Sequence, residues 1–267
     1  MKFLPRCILA FILIMPVCDQ LHCQLLYKIS WEKDGYIVGV GTIIGLTALA
    51  VDRSVQPLTL QEVNQLARGS INQFDRSAAY HYSESASHIS DVLAGIAIAA
   101  PAALFTDLSI RKDWQAITVM YLKTFGLFRS IDELAKASVK RIRPFVYNPD
   151  VPFDRKLSSD SRKSFFSEHS SEAFASAVFI STVYSDYNPN SEWKPFVWTG
   201  SLLTASFVGY LRYEAGAHFP TDILVGTIVG SAIGYAIPWM HRAGNENVSI
   251  TPGAQGADYG FSVQVKF

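Results

Sequence analysis

Two histidines lie next to predicted helix starts in a chain that is otherwise rich in apolar residues. The first, His169, follows Ser167 and Glu168 in the stretch SRKSFFSEHSSEAFASA, residues 161–177. Ser167 is a typical N-cap for the helix that this stretch predicts, and the free N–H groups at a helix start bind anions. A histidine in the first turn can exchange a proton with a group held there. Taken alone, the stretch fits an ordinary capped helix with an incidental histidine about equally well.

The second histidine, His218, precedes Asp222 by four residues in YLRYEAGAHFPTDILVG, residues 210–226. This spacing lets Asp222 reach one ring nitrogen of His218 and raise the basicity of the other, as a nucleophilic or general-base histidine requires. Arg212 adds a planar donor fork that suits phosphate oxygens. Pro220 suits the first turn of the helix that follows. A His–Asp pair that only fastens a helix start is an equally good interpretation of this stretch by itself.

A third polar segment, KASVKRIRPF, is basic. Lys136, Lys140 and Arg143 are spaced i, i+4 and i+7, which predicts one helical face, and Pro144 then ends the helix. Several cations on one face attract an anion. The segment alone favours the alternative, a basic cluster at a membrane edge or on a solvated face.

Together the three segments contain the parts that phosphoryl transfer requires: cations around the phosphate oxygens, an in-line nucleophile and a proton for the leaving group. All three cysteines lie within the first 23 residues, which excludes thiol and cysteine–metal chemistry from the body of the chain. We see no dense carboxylate cluster in the sequence, which argues against a two-metal mechanism. We therefore predict neither a metal nor a cofactor. Basic and acidic residues balance at 23 each, so charge gives no argument for a nucleic-acid partner.

The order K-x6-RP, then S-x-H, then R-x5-H-x3-D resembles the signature of the type 2 phosphatidic acid phosphatase superfamily. That family includes bacterial non-specific acid phosphatases, lipid phosphate phosphatases and vanadium haloperoxidases. The first element runs from Lys136 through Arg143–Pro144, the second is FSEH from Phe166 to His169, and the third runs from Arg212 to Asp222.

The resemblance implies a metal-independent phosphohydrolase. His218 attacks phosphorus and carries a phosphohistidine, Asp222 orients His218, and His169 protonates the leaving group. The phosphate-binding groups that the resemblance implies are Lys136, Arg143, Ser167, Arg212 and the backbone N–H of Glu168.

One position departs from the family pattern. The family usually has Pro-Ser-Gly-His where this chain has Phe166-Ser167-Glu168-His169. Glu168 adds a side chain and a negative charge beside an anion site. It leaves the site intact if it points outward, and it repels phosphate if it points inward, unless a cation such as Lys140 or Arg141 pairs with it. A non-catalytic phospholipid-binding protein is therefore an alternative.

Apolar helices must position these residues. Hydrophobic residues make up 49% of the chain and charged residues only 17%. Uncharged apolar stretches recur at 35–51, 92–106, 114–122, 173–185, 195–211 and 223–240, and three of them reach the lower edge of membrane-spanning length. We predict an all-α, membrane-associated or deeply apolar bundle of about six core helices. Alternation in YGFSVQVKF predicts a strand or short β-hairpin in the tail, residues 244–267.

The N-terminal stretch predicts export. Lys2 and Arg6 precede the uncharged run Cys7–Cys18, which is typical of a secretory signal peptide over residues 1–23, with a short membrane anchor as the alternative. The phosphatase domain is then residues 24–243. Export predicts a location in a bacterial inner membrane facing the periplasm, or in the periplasm itself.

Within the family, apolar helices and export favour a lipid-linked phosphate monoester or pyrophosphate as substrate. The second interpretation is a soluble periplasmic acid phosphatase that acts on small phosphate esters. A vanadate-dependent peroxidase is disfavoured, because no motif specifies halide chemistry. The predicted partners are therefore a phosphorylated lipid or small phosphate ester and the membrane.

Overall fold

The structure, a computed structural model, describes residues 26–243, 248–255 and 258–265, so the predicted signal peptide lies outside the described residues. Six long helices form the described body, which confirms the predicted all-α bundle. They are α1 Trp31–Asp52, α2 Glu84–Ala99, α3 Trp114–Val139, α4 Glu168–Tyr187, α5 Lys194–Glu214 and α6 Pro220–His241.

Short helical segments connect the long helices. Three are α-helical: Leu60–Gln65, Leu108–Arg111 and Phe153–Lys156. Five are 3₁₀ turns: Arg68–Ser70, Arg76–Tyr80, Ala100–Thr106, Pro144–Tyr147 and Ser159–Arg162. In the tail, β1 Val248–Gln255 and β2 Asp258–Val265 pair antiparallel, with Val248 opposite Val265. The tail therefore forms the hairpin that its alternating sequence predicts.

Helix α4 lies at the centre of the bundle and packs against α2, α3, α5 and α6. Its contact with α6 depends on Gly226, Gly230 and Gly234, which are spaced by four residues and so share one face. A Cβ atom on Gly230 would lie 2.1 Å from the carbonyl oxygen of Ser171, which no real side chain tolerates. These glycines let the two backbones touch. The close contact brings the start of α4 beside the start of α6.

Three helices in the described part of the chain are long and apolar enough to cross a membrane: Trp31–Asp52, Glu84–Thr106 and Pro220–His241. Their outward residues fit a lipid environment, since large apolar side chains on α2 and α6 are exposed. These exposed residues include Val92, Ile96, Leu224 and Ile228. The bundle thus presents an apolar outer surface that begins about one turn after the start of α6 and about two turns after the start of α2.

A buried ionic cluster fastens α1 to the body at the end of α6. The Nε2 atom of His241 lies 2.7 Å from Oδ1 of Asp34, and the ammonium of Lys123 binds the same oxygen. Removing one member would leave a buried charge without compensation, at a cost of about 3–5 kcal/mol. The cluster lies at the opposite end of α6 from His218, so it stabilises the scaffold and takes no part in the site described next.

Candidate active site

The polar residues singled out in the sequence converge where α4 and α6 begin and where α3 and α5 end. The backbone N–H of Ser167 donates to the carbonyl of Asp222 at 3.0 Å, which joins the two helix starts. Arg143 reaches both the carbonyl oxygen of Ala217, at 3.1 Å, and Nε2 of His218, at 3.2 Å. Three segments that are distant in sequence, around residues 143, 167 and 217–222, therefore meet at one place.

His218 is buried and has a defined tautomer. Its Nδ1 atom lies 2.7 Å from the carbonyl oxygen of Ser164, which can only accept, so Nδ1 carries the proton and Nε2 carries the lone pair. Burial lowers the pKa of His218 well below its usual range, and the positive charges of Arg143, Arg212 and Lys136 lower it further. The imidazole is therefore neutral at physiological pH, with Nε2 available as a nucleophile.

The predicted contact between Asp222 and His218 is wrong for the described residues. The carboxylate of Asp222 accepts from Oγ of Ser164 at 2.6 Å, from the backbone N–H of Phe219 at 2.9 Å and from the guanidinium of Arg141. The physical reason is local. Asp222 is the third residue of α6, and its carboxylate turns back to the unpaired N–H at the start of its own helix. A carbonyl group takes the place beside His218 instead.

The predicted helical face of cations is also corrected. Helix α3 ends at Val139, and Lys140 adopts a left-handed conformation with φ of 51°. The chain then runs in non-helical backbone to Arg143, because the residue before a proline disfavours helical geometry. Lys140 binds Oγ of Ser54, away from His218, whereas Arg143 enters the site from the segment after the helix.

Arg143 and Arg212 line one cavity of about 470 Å³ between the start of α2, the end of α5 and the segment 154–160. Arg212 donates from Nη1 to Oγ of Ser90 at 3.1 Å and to Asp91 at 3.3 Å. Its Nε atom is buried and has no partner among the residues that the structure describes. An unpaired buried guanidinium donor is costly unless an acceptor occupies the site, and phosphate is such an acceptor.

His169 lies in the first turn of α4, as its sequence predicts, and Ser167 is the N-cap, accepting from the N–H of Ser170. The Nε2 atom of His169 lies 2.9 Å from Oδ1 of Asp91. Burial lowers the pKa of His169 to about 2, and the positive charges of Arg212 and other nearby cations contribute. His169 is therefore neutral until an anion offsets these cations.

Comparison with known proteins identifies the family of one segment of the chain. Residues 116–246 match the model of the PAP2 superfamily. This segment belongs to the PAP2 superfamily. The match includes all three sequence elements singled out above, and it confirms the resemblance.

Two known proteins are similar to this chain. The first is the probable diacylglycerol pyrophosphate phosphatase 1 of Schizosaccharomyces pombe, 33% identical over 97 residues, which are 34% of this chain and 35% of that protein. The match thus spans about a third of that relative's length. The second is the transmembrane PAP2 type phosphatidylglycerolphosphate phosphatase from Bacillus subtilis, a crystal structure. Its TM-score is 0.48 at 22% identity, covering 75% of this chain and 94% of that one.

Within this PAP2 segment, Glu168 is paired. Its carboxylate contacts the guanidinium of Arg129 and lies 2.5 Å from Nζ of Lys136, which also binds Asp132 at 2.8 Å. The partners differ from the suggested Lys140 and Arg141. The latter instead binds Asp222 and neighbouring polar groups. Two carboxylates therefore hold the ammonium of Lys136 before any substrate arrives.

The structure contradicts the expectation that the body lacks a carboxylate cluster. One oxygen each from Asp132, Glu133 and Glu168 lie within 4.8 Å of one another. Two side-chain cations already pair with this group, since Arg129 binds Glu133 and Glu168 while Lys136 binds Asp132 and Glu168. These ion pairs offset two of the three negative charges and occupy oxygens of all three carboxylates, so we assign the cluster no metal.

Sequence reasoning missed Asp91, Arg129 and Ser164. Asp91 follows a polar stretch and precedes an apolar one, which is the only local signal for a residue near a helix-start site. Arg129 lies two helical turns before Lys136 on α3, so it shares that face. Ser164 precedes the family motif by two residues and has no distinctive spacing.

Replacing Glu168 with glutamine is expected to strengthen anion binding. The change removes one of the two carboxylates that hold Lys136, so its ammonium is freer to bind phosphate. We expect the inhibition constant of vanadate and the KM for a phosphate ester to fall about tenfold, which corresponds to about 1.4 kcal/mol.

Glu133→Gln is the matched control, because it removes a carboxylate of the same cluster that pairs with Arg129, whereas the ion pairs of Lys136 are with Asp132 and Glu168. Steady-state kinetics with a vanadate titration measure both constants. Loss of turnover in a folded Glu168→Gln variant would contradict this interpretation and would give Glu168 a positive role in substrate binding or proton transfer.

Proposed function

We propose that this protein is a metal-independent lipid phosphatase that acts through a phosphohistidine on His218. The observation that carries the proposal is the state of His218. Its Nδ1 proton is fixed on a carbonyl, and its neutral Nε2 lies 3.2 Å from Arg143 in a basic, buried site. A neutral imidazole beside a phosphate-binding guanidinium suits in-line attack on phosphorus.

In the first step, Arg143 and Arg212 bind the phosphate oxygens together with Lys136 and the N–H groups at the start of α4. Arg143 then turns its Nη1 donor from Nε2 of His218 to a phosphate oxygen, which frees the lone pair. Nε2 attacks phosphorus as the bond to the leaving oxygen breaks. His169, charged once the dianion offsets the surrounding cations, gives its proton to the leaving oxygen.

In the second step, water hydrolyses the phosphohistidine. His169 is now neutral and accepts a proton from the attacking water. The bond between phosphorus and Nε2 breaks, inorganic phosphate leaves, and His169 releases the proton to solvent, so both histidines return to their starting states. The same ring thus acts first as acid and then as base.

A lipid-linked substrate is supported by the position of the site on the helices. On α2, Asp91 is followed directly by exposed Val92, and on α6 Asp222 lies two residues before exposed Leu224. At 1.5 Å per residue, the apolar outer surface begins within about 5 Å of the site along each helix axis. The printed name of the yeast relative, a diacylglycerol pyrophosphate phosphatase, supports the same substrate class.

The cavity favours a monoester over a pyrophosphate. Besides Arg143 and Arg212, its charged lining comprises Glu84, Asp154 and Asp160 against one further guanidinium, Arg155. Once the transferred phosphate occupies the first two arginines, the remaining lining has a net charge of minus two. A second phosphate would be repelled there, whereas an uncharged leaving alcohol would not be.

The test is phosphate release by the purified protein in detergent with EDTA present. We expect release from diacylglycerol phosphate, slower release from diacylglycerol pyrophosphate and from the soluble ester p-nitrophenyl phosphate, and inhibition by vanadate. Activity that disappears on chelation and returns with divalent ions would contradict the histidine mechanism. Fastest release from the soluble ester would favour an acid phosphatase instead. Binding of diacylglycerol phosphate without any release would favour the non-catalytic binding protein, which the pairing of Glu168 with Lys136 also supports.

A further inference from the structure

Ser164 connects the two residues that the family motif pairs. It lies in the irregular segment before α4 and is fully buried. Its hydroxyl donates to Oδ2 of Asp222 at 2.6 Å, and its carbonyl accepts the Nδ1 proton of His218 at 2.7 Å. Its N–H donates to the carbonyl of Arg141 at 3.0 Å. Every polar group of Ser164 is therefore used, and two of the three fix the orientation of its carbonyl.

Asp222 holds the segment 164–167 at both ends. Its side chain binds the hydroxyl of Ser164, and its carbonyl accepts from the N–H of Ser167 at 3.0 Å. The carboxylate is itself fixed by the N–H of Phe219 and by Arg141. Asp222 thus determines where the acceptor for His218 lies without touching the ring.

We propose that Ser164 is a positioning residue through which Asp222 controls the tautomer of His218, an inference that rests on the proposed function. The carbonyl of Ser164 holds the proton on Nδ1 and leaves the lone pair on Nε2, the atom that attacks phosphorus. Without the bond from its hydroxyl to Asp222, this carbonyl loses one of its two anchors. The proton then moves to Nε2 in part of the molecules, and those molecules have no lone pair to attack with.

The effect should fall on the chemical step. Ser164 does not touch the phosphate-binding arginines, so Ser164→Ala is expected to lower kcat about 10- to 100-fold with KM changed less than twofold, the range typical of losing a supporting hydrogen bond. Ser164→Cys keeps the volume and a weak donor, and it should restore part of the rate. The rate of phosphohistidine formation, measured in a single turnover with radiolabelled substrate, isolates this step.

A double-mutant cycle separates this route from a direct action of Asp222. If Asp222 acts through Ser164, the variant Ser164→Ala/Asp222→Asn is no slower than the slower single variant. Additive losses, or a Ser164→Ala rate within twofold of the wild type, would overturn the inference. Ser181→Ala is the matched control. Ser181 is also fully buried, but it lies about 18 Å along α4 from His169, and its hydroxyl contacts that of Ser201.

The tautomer can also be observed without turnover. In protein labelled with ¹⁵N-histidine, NMR should show a protonated Nδ1 and an unprotonated Nε2 for His218 in the wild type, and a mixture of both tautomers in Ser164→Ala. An unchanged tautomer would overturn the inference. A wild type inert towards every ester would refute the proposed function, while the NMR comparison would still decide the role of Ser164. If Ser164→Ala fails to fold, the same comparison is made with Ser164→Cys.

Discussion

Replacing His218 with alanine is expected to lower turnover by about 10⁴-fold or more while the helical bundle still folds. The proposed reaction has one attacking atom, Nε2 of His218, and the variant removes it. The phosphate-binding arginines stay, so substrate still binds and KM changes little. Phosphate release measures the rate, and labelling with a radioactive phosphate ester should show an alkali-stable, acid-labile phosphoprotein in the wild type and none in His218→Ala.

The control for this prediction is His81→Gln, because His81 pairs with Glu214 on a partly exposed surface, outside the proposed machinery. Circular dichroism and the melting temperature in detergent show whether each variant folds. Hydrolysis above about 1% of the wild-type rate in a folded His218→Ala protein would remove His218 from the role of nucleophile and would refute the phosphohistidine route.

The dependence of kcat/KM on pH in the acid range is set in part by the protonation of the His218 imidazole. Burial, together with Arg143 and Arg212, lowers the pKa of His218 well below its usual range. A lowered pKa keeps the ring neutral to lower pH, so kcat/KM should not fall through protonation of His218 near pH 6.5. The same shift means that acid favours the unfolded chain, where the ring protonates more readily, and this contribution to stability is lost as pH falls below the unfolded value.

Local patterns predicted the elements and the identity of many site residues. Ser167 as N-cap, Pro220 in the first turn of α6 and the recurrent apolar stretches are all signals contained in a few neighbouring residues. The spacing of Gly226, Gly230 and Gly234 in α6 is also a local pattern, and it permits close helix contact, since Gly230 leaves room only for a backbone.

Pairings between distant segments could not be predicted. Asp222 has several hydrogen-bond donors within reach. Which of them it binds depends on where the chain places Ser164, 58 residues earlier. Likewise, His169 meets Asp91 only because α2 packs beside α4. For Glu168, the sequence suggested cations after the end of α3, whereas the helix itself presents Lys136 about one turn and Arg129 about three turns before that end. The residue types in the sequence therefore predicted the chemistry of the site, whereas tertiary packing determined which residues pair.

His169→Ala is expected to act in a way that depends on the leaving group. For a diacylglycerol phosphate, the leaving alkoxide needs a proton, and removing the acid should lower the rate of phosphohistidine formation about 10²- to 10⁴-fold. For p-nitrophenyl phosphate, the leaving phenolate is stable without a proton, so this step should change little. The pKa of about 2 in the free protein fits this role, because His169 gains its proton only when the dianion offsets the surrounding cations.

The same ring is the proposed base in the second step, which gives the variant a distinctive time course. With p-nitrophenyl phosphate, His169→Ala should release one equivalent of p-nitrophenolate per active site in a rapid burst and then continue slowly, because the phosphohistidine accumulates. Asp91→Asn, which keeps the shape but weakens the partner of His169, should lower the alkyl-phosphate rate less than His169→Ala does. Equal losses on both substrates, with no burst, would show that His169 neither donates nor accepts the proton, and the acid would then have to be sought among the other groups around Arg212.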